Sequence, residues 1–295
     1  TLDSAASARV MEKARREECR KELWKHHQSL ATRACDTEPV IREILSLRRE
    51  KAHLCGYKAY PDYALRESMA GNGEHAMKFV NELLDKIRPS FFREMETLRR
   101  LKARRTGQEK ARLNPWDVAY YANLQAEERF RLDQEELRRY FPLPRVLDGL
   151  FSLAERLYGI RVAEVPARQA LSGIPADKSA GTVEVWHPDV RFFTIDDGNG
   201  NRLGSFYLDL YSRNNKRAGA WMNTLDTGSP STPETPGKPR LGMVCLNIHP
   251  PAAGHAVTLT HREVRTLFHE FGHLLHLMFT RVAISSLAGT SVPRD

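Results

Sequence analysis

Residues 260–279 read Thr260-His-Arg-Glu-Val-Arg-Thr-Leu-Phe-His-Glu-Phe-Gly-His-Leu-Leu-His-Leu-Met-Phe279, the strongest helical signal of the chain. Thr260 followed by Glu263 forms a capping box, so the helix is expected to start at His261. At about 100° per residue, with His269 at zero, His273 falls at about 40°, Arg262 at about 20° and Thr266 at about 60°. Val264, Leu267, Phe268, Phe271, Leu274, Leu275 and Met278 all fall between about 140° and 260°. One face is therefore expected to be buried, and both imidazoles to leave from the other. His269 and His273 rise about 6 Å apart, a span that one zinc ion bridges with two bonds of about 2.0–2.1 Å. Glu270, at about 100°, is poorly placed as a ligand. It is well placed as a general base toward a metal-held water, which suits hydrolysis of an unactivated amide.

The other histidines read differently. His276 shares the polar face but rises about 10.5 Å from His269, too far for one tetrahedral ion to take all three side chains from a straight helix. His249, His255 and His261 read as loop and helix-start residues. A catalytic zinc needs three protein ligands and an open position, and here two are visible. Asp295 is the only carboxylate after Glu270.

Upstream, residues 1–160 read as helices and residues 161–295 as a small sheet followed by the histidine helix. Val10–Leu30 is charged and sparsely apolar. Thr37 precedes a helix carrying Ile41, Ile44, Leu45 and Ala52, ended by Gly56, and Pro61–Ala70 reads as a short helix stopped by Gly71. Ala76, Met77, Val80, Leu83, Leu84 and Ile87 form a helical stripe that Pro89 is expected to kink or break. Helices follow after Pro115 and over Val146–Tyr158, the latter ended by Gly159. Thr182–Trp186, Arg191–Ile195, Leu203–Tyr211 and Met243–Ile248 read as strands, and Asp196–Asn201 as a hairpin turn rather than a phosphate cradle. The Pro/Ser/Thr/Gly-rich stretch 228–240 reads as an exposed loop.

Composition excludes several classes. Hydrophobic residues make up 41% and charged residues 28%, which rules out disordered and fibrous chains. No run approaches the roughly 20 apolar residues of a membrane span. The net charge of +8 is locally concentrated at 99–112, where seven Lys and Arg face Glu109 alone. One basic helix end is a weak nucleic-acid signal, so no nucleic-acid partner is expected. Cys19, Cys35, Cys55 and Cys245 show neither a C-x-x-C pair nor zinc-ribbon spacing and read as thiols of a reducing, cytoplasmic compartment. The absence of an initiator methionine and the break at Asp295 suggest a piece of a longer protein.

The segment Thr260–His273 resembles the zinc helix of the thimet oligopeptidase family of metallopeptidases, on its oligopeptidase A-like branch. Further likenesses are Leu113-Asn-Pro-Trp-Asp-Val-Ala-Tyr-Tyr121, Tyr140-Phe-Pro-Leu143 with Gly149-Leu-Phe151, Phe206-Tyr-Leu-Asp-Leu-Tyr211, Gly219-Ala-Trp-Met222 and Gly289-Thr-Ser-Val-Pro-Arg-Asp295. The resemblance covers nearly the whole chain but only the middle of a family member. It implies a mainly α fold with a small β-sheet, in a zincin-like, two-lobed helical peptidase incomplete at both ends. A narrow channel between the lobes would admit short peptides. The same resemblance makes His269 and His273 ligands of one Zn(2+) per chain and Glu270 the general base. Arg294-Asp295 matches the start of an R-D-F-V-E segment whose glutamate, the third ligand, would lie three positions past residue 295. The family's loop bearing a tyrosine and a histidine would lie further on. Substrate is expected along a sheet edge, for which Met243–Ile248 is one candidate. The implied activity is endopeptidase cleavage of short peptides by a monomer. The alternative is a catalytically incomplete helical peptide-binding fragment without tightly bound metal.

Overall fold

The computed structural model describes residues 4–30, 36–131, 134–169, 182–230, 236–250 and 256–292. Cys35, His255, Arg294, Asp295 and the middle of the 228–240 loop lie outside these residues. The chain divides into two compact units, one through Leu132 and one over Asp133–Val292. About half of it is helical, with a small mixed sheet, so the mainly α expectation holds.

The first unit is helical: α1 (Ser4–Lys13), α2 (Glu17–Gln28), α3 (Glu38–Leu54), α4 (Tyr60–Ala64), α5 (Gly73–Thr106) and α6 (Val118–Phe130). Helix α5 begins where Asn72 Oδ1 accepts the His75 amide, and it runs unbroken through Pro89 to an αL cap at Gly107. The expected break does not occur; proline removes one interior hydrogen bond, and the remaining ladder carries the helix across. The Pro61–Ala70 helix is cut to α4, because the chain turns at Leu65. The anchor of the first unit is an ion network: Asp117, fully buried, accepts from Arg20 at 2.8 Å, Lys102 at 2.6 Å and the Asn114 amide at 3.0 Å. The basic run in α5 is largely spent in pairs, Arg99 and Arg100 with Glu96, Arg105 with Glu128 and Lys102 with Asp117.

Among the described residues the second unit contains α7 (Gln134–Arg138), α8 (Leu143–Tyr158), seven strands and α9 (His261–Met278). Strands β1 (Arg161–Val165), β4 (Arg191–Asp196), β5 (Arg202–Tyr211), β6 (Trp221–Asp226) and β7 (Arg240–Ile248) form one sheet in the order β1-β4-β5-β7-β6. Strands β2 (Ala167–Gln169) and β3 (Val183–Val185) form a separate parallel pair. The Asp196–Asn201 turn joins β4 to β5, with Phe193 opposite Phe206. Strand β7 runs parallel to β5 on one side and antiparallel to β6 on the other. Met243–Ile248 is thus an inner strand, and the edge reading of it is overturned. Sequence texture changes at residue 160, but the packing division falls earlier, since Leu143, Val146, Leu147, Leu150 and Ala154 of α8 belong to the sheet's core.

Alternation sorts the strand residues between two faces. Phe193, Ile195, Phe206, Leu208, Val244 and Leu246 join α8 and α9 in one core. On the other face Asp209 is buried and receives Trp186 Nε1 at 3.1 Å, Arg213 at 2.7 Å and Lys216 at 2.8 Å. Burial pushes the Asp209 carboxyl up, but these donors outweigh it and hold it down at about 2. A folded value below the unfolded one means stability complete above about pH 3.8 and lost as pH falls through about 2. Acid titration of thermal unfolding should show a loss in that window, and Asp209→Asn should remove this part of the slope. The variant should also cost about 2 kcal/mol at neutral pH by leaving the Lys216 ammonium and the half-buried Arg213 without their carboxylate. An unchanged acid limb would remove Asp209 from this role.

Candidate metal centre

Helix α9 is fixed at both ends. The expected capping box forms: Thr260 Oγ1 accepts the Glu263 amide at 3.1 Å, and Glu263 Oε2 accepts the Thr260 amide at 2.7 Å. Arg138 of α7 lies 3.6 Å from the same carboxylate. Past the C-terminal end, Arg240 of β7 donates to the Thr280 carbonyl at 2.5 Å, its guanidinium buried and its pKa lowered by that burial.

Between these ends α9 lies against β6 and β7. Leu267, Leu274, Leu277 and Met278 are completely buried, each contributing about 1.5–3 kcal/mol of apolar burial. Phe271 meets Phe151 of α8 and Phe206 of β5 at centroid distances of 5.7 and 5.9 Å. Two glycines permit this approach. A Cβ on Gly204 would sit 2.7 Å from the Arg240 carbonyl oxygen and collide with Met278, and one on Gly242 would sit 2.5 Å from Leu274.

The outward face carries the chemistry. His269 and His273 are both exposed, as the helical spacing requires, with ring centroids 4.7 Å apart and planes at 88°. Their Nε2 atoms lie 3.2 Å apart, so the rings hydrogen-bond in whichever direction the tautomers allow. Two nitrogens of a tetrahedral zinc site lie about 3.3 Å apart, so the spacing of this pair matches that of two ligands of such an ion. Glu270 is placed differently from the simple wheel. The buried arc extends to Leu277 at about 80° and so takes in Glu270 at its margin, which is only 8% exposed. No hydrogen bond or ion pair reaches its carboxylate among the described residues.

The remaining histidines do not join the pair. His276 is exposed on the same side, His249 is exposed after β7, and His261 opens the helix with its ring 6.2 Å from Phe141. Among the described residues no group of three metal-binding side chains occurs. A surface depression of about 890 Å³ runs beside His269 and Glu270, lined also by Arg262, Arg265, Thr266 and Phe268. Sequence reading gave no role to Gly204 and Gly242, whose signal is small residues in otherwise bulky strands, nor to β6, whose Trp221–Asp226 alternation is faint.

Known proteins match this arrangement along its whole length. The profile of peptidase family M3 covers residues 10–295, and the chain belongs to that family. The relatives make the likeness more specific. The chain is 37% identical over its full length to oligopeptidase A of Salmonella typhimurium and to oligopeptidase A of Escherichia coli, covering 42% of each. Over 98% of its length it is 36% identical to an organellar oligopeptidase A, chloroplastic/mitochondrial, of Arabidopsis thaliana, covering 35% of that protein. The chain therefore spans about two fifths of the length of such relatives.

The helix-on-glycine seat has a direct check. Gly204→Ala should lower unfolding stability by about 1–3 kcal/mol through overpacking against strand backbone. Denaturant unfolding measures this; a wild-type midpoint would mean that α9 does not depend on that contact.

Proposed function

We propose that the complete polypeptide containing this chain is a zinc-dependent endopeptidase acting on short peptides, with the two-lobed, zincin-like architecture expected from sequence. The observation that carries the reading is the 3.2 Å spacing of the His269 and His273 Nε2 atoms, with Glu270 beside them lining the same depression. His269 and His273 would hold the ion, with a third ligand supplied after residue 295. When bound, zinc lowers the pKa of water and polarises a carbonyl.

The chain's own residues account for the proton traffic. Glu270 sits one residue from His269 on the same helix. It removes a proton from water as the water oxygen bonds to the scissile carbonyl carbon. It then delivers that proton to the amide nitrogen as the C–N bond breaks, leaving a carboxylate and an amine. Substrate backbone would lie along β6, whose outer side pairs with no strand among the described residues, so recognition through main-chain groups would be largely independent of side chains. Such a reading fits a monomer in a reducing compartment; the Arabidopsis relatives carry both organellar and cytosolic names. No helix among the described residues is long and apolar enough to cross a membrane.

In the complete enzyme, Glu270→Gln should retain zinc while kcat/KM on a fluorogenic peptide falls by about 10²–10⁴. A chelator should abolish the wild-type activity. Full turnover in the Gln variant would eliminate the general-base role. The second reading, a peptide-binding piece without tight metal, concerns residues 1–295 in isolation and is favoured by the two-ligand site. After dialysis this chain should retain well below one zinc per molecule; stoichiometric metal would reject it.

A further inference from the structure

Helix α9 carries two cations that neither its cap nor its histidine pair uses. Arg262 and Arg265 are both exposed and line the same depression as His269 and Glu270. Relative to His269 they lie at about 20° and −40° around the helix, and about 10.5 and 6 Å before it along the axis. No ion pair or side-chain hydrogen bond engages either guanidinium among the described residues. Several arginines of this unit find carboxylates, Arg191 with Glu164, Arg213 with Asp209 and Arg202 with Asp196, whereas these two share one depression with the histidine pair. Glu263, the nearby acid on α9, is committed to the cap and to Arg138. Two positive charges are thus left beside the site with nothing to neutralise them.

We propose that Arg262 and Arg265 form a subsite that reads a carboxylate on the peptide substrate, an inference that rests on the peptidase reading above. Guanidinium forks suit carboxylates, and helical side chains lean toward the N-terminus, carrying both heads away from the histidines. An extended peptide advances about 3.3 Å per residue, so the recognised anion sits about two to four residues from the cleaved bond. An acidic side chain and a free C-terminal carboxylate share this chemistry.

The test uses the complete zinc-loaded enzyme and matched peptides with Glu or Gln two, three or four residues on either side of the cleaved bond. A second arm compares a C-terminal carboxylate with an amide. At low salt the anionic member of one arm should be favoured about tenfold in kcat/KM, as two exposed ion pairs of about 0.7 kcal/mol imply, and that arm identifies the source. The preference should shrink toward unity at about 0.5 M salt. Arg262→Gln with Arg265→Gln should abolish it, and the Glu pair should invert it. Fluorescence anisotropy of the same peptides on the Glu270→Gln variant reads the ratio without turnover. Equal values for all peptides, or a preference that survives both double variants, would overturn the subsite while leaving the peptidase reading intact. Failure to cleave any peptide would overturn that reading, and the anisotropy ratio would still decide whether the arginines bind a carboxylate.

Discussion

The close seat of α9 on the bare backbone of β5 and β7 governs the rest of the second unit. Gly204 and Gly242 leave no side chain between helix and strands, so Met278, Leu274 and Leu277 pack where a Cβ would otherwise stand. That approach brings Phe271 into the aromatic group built by Phe151, Phe193 and Phe206. It also sets the rotation of the helix about its axis. With Leu277 and Leu274 both facing the sheet, His269 and His273 leave on the outer side, and Glu270 is drawn to the margin of the core. The histidine pair owes its orientation to a contact on the opposite side of the helix.

The sheet is pinned from its other face by a different kind of force. Asp209 gathers Trp186, Arg213 and Lys216 beneath the strand that receives α9, tying the segment after β5 to the strand itself. The first unit uses the same device at Asp117, where Arg20 and Lys102 join helices distant in sequence. Buried ion pairs add little net stability against an apolar alternative, but removing one partner is costly, so such clusters define which segments meet. Apolar packing brings α9 down onto the sheet, while charge fixes the segments that carry the sheet and the helices.

Much of this was legible in residues 260–279, because helical periodicity and a capping box are local properties. The start of α9, the outward histidines and the hairpin after Asp196 all follow from neighbours within a turn or two. What failed depends on distant partners. Of the kink or break expected at Pro89 the break does not occur, since a long ladder on either side outweighs one missing donor. Met243–Ile248 looked like an edge because sequence cannot show that Trp221–Asp226, with its weak alternation, takes the outer place. Glu270 lies deeper than the wheel suggested, because the sheet contacts Leu277 as well as the expected stripe.

Glu270 is best judged against the other buried acids. Among the described residues three carboxylates are buried: Asp117, Asp209 and Glu270. The first two are saturated, each with donors from two cationic side chains and a further N–H, which offsets the cost of removing a charge from water. Glu270 has no comparable partner and a different position, 8% exposed at the edge of the core and lining the depression beside His269, so its carboxylate is left to solvent or to a ligand. Under the proposed mechanism that open capacity is filled by a water molecule and then by a peptide nitrogen arriving at the outer face of α9, where the imidazole nitrogens stand at the spacing of two ligands of a tetrahedral ion.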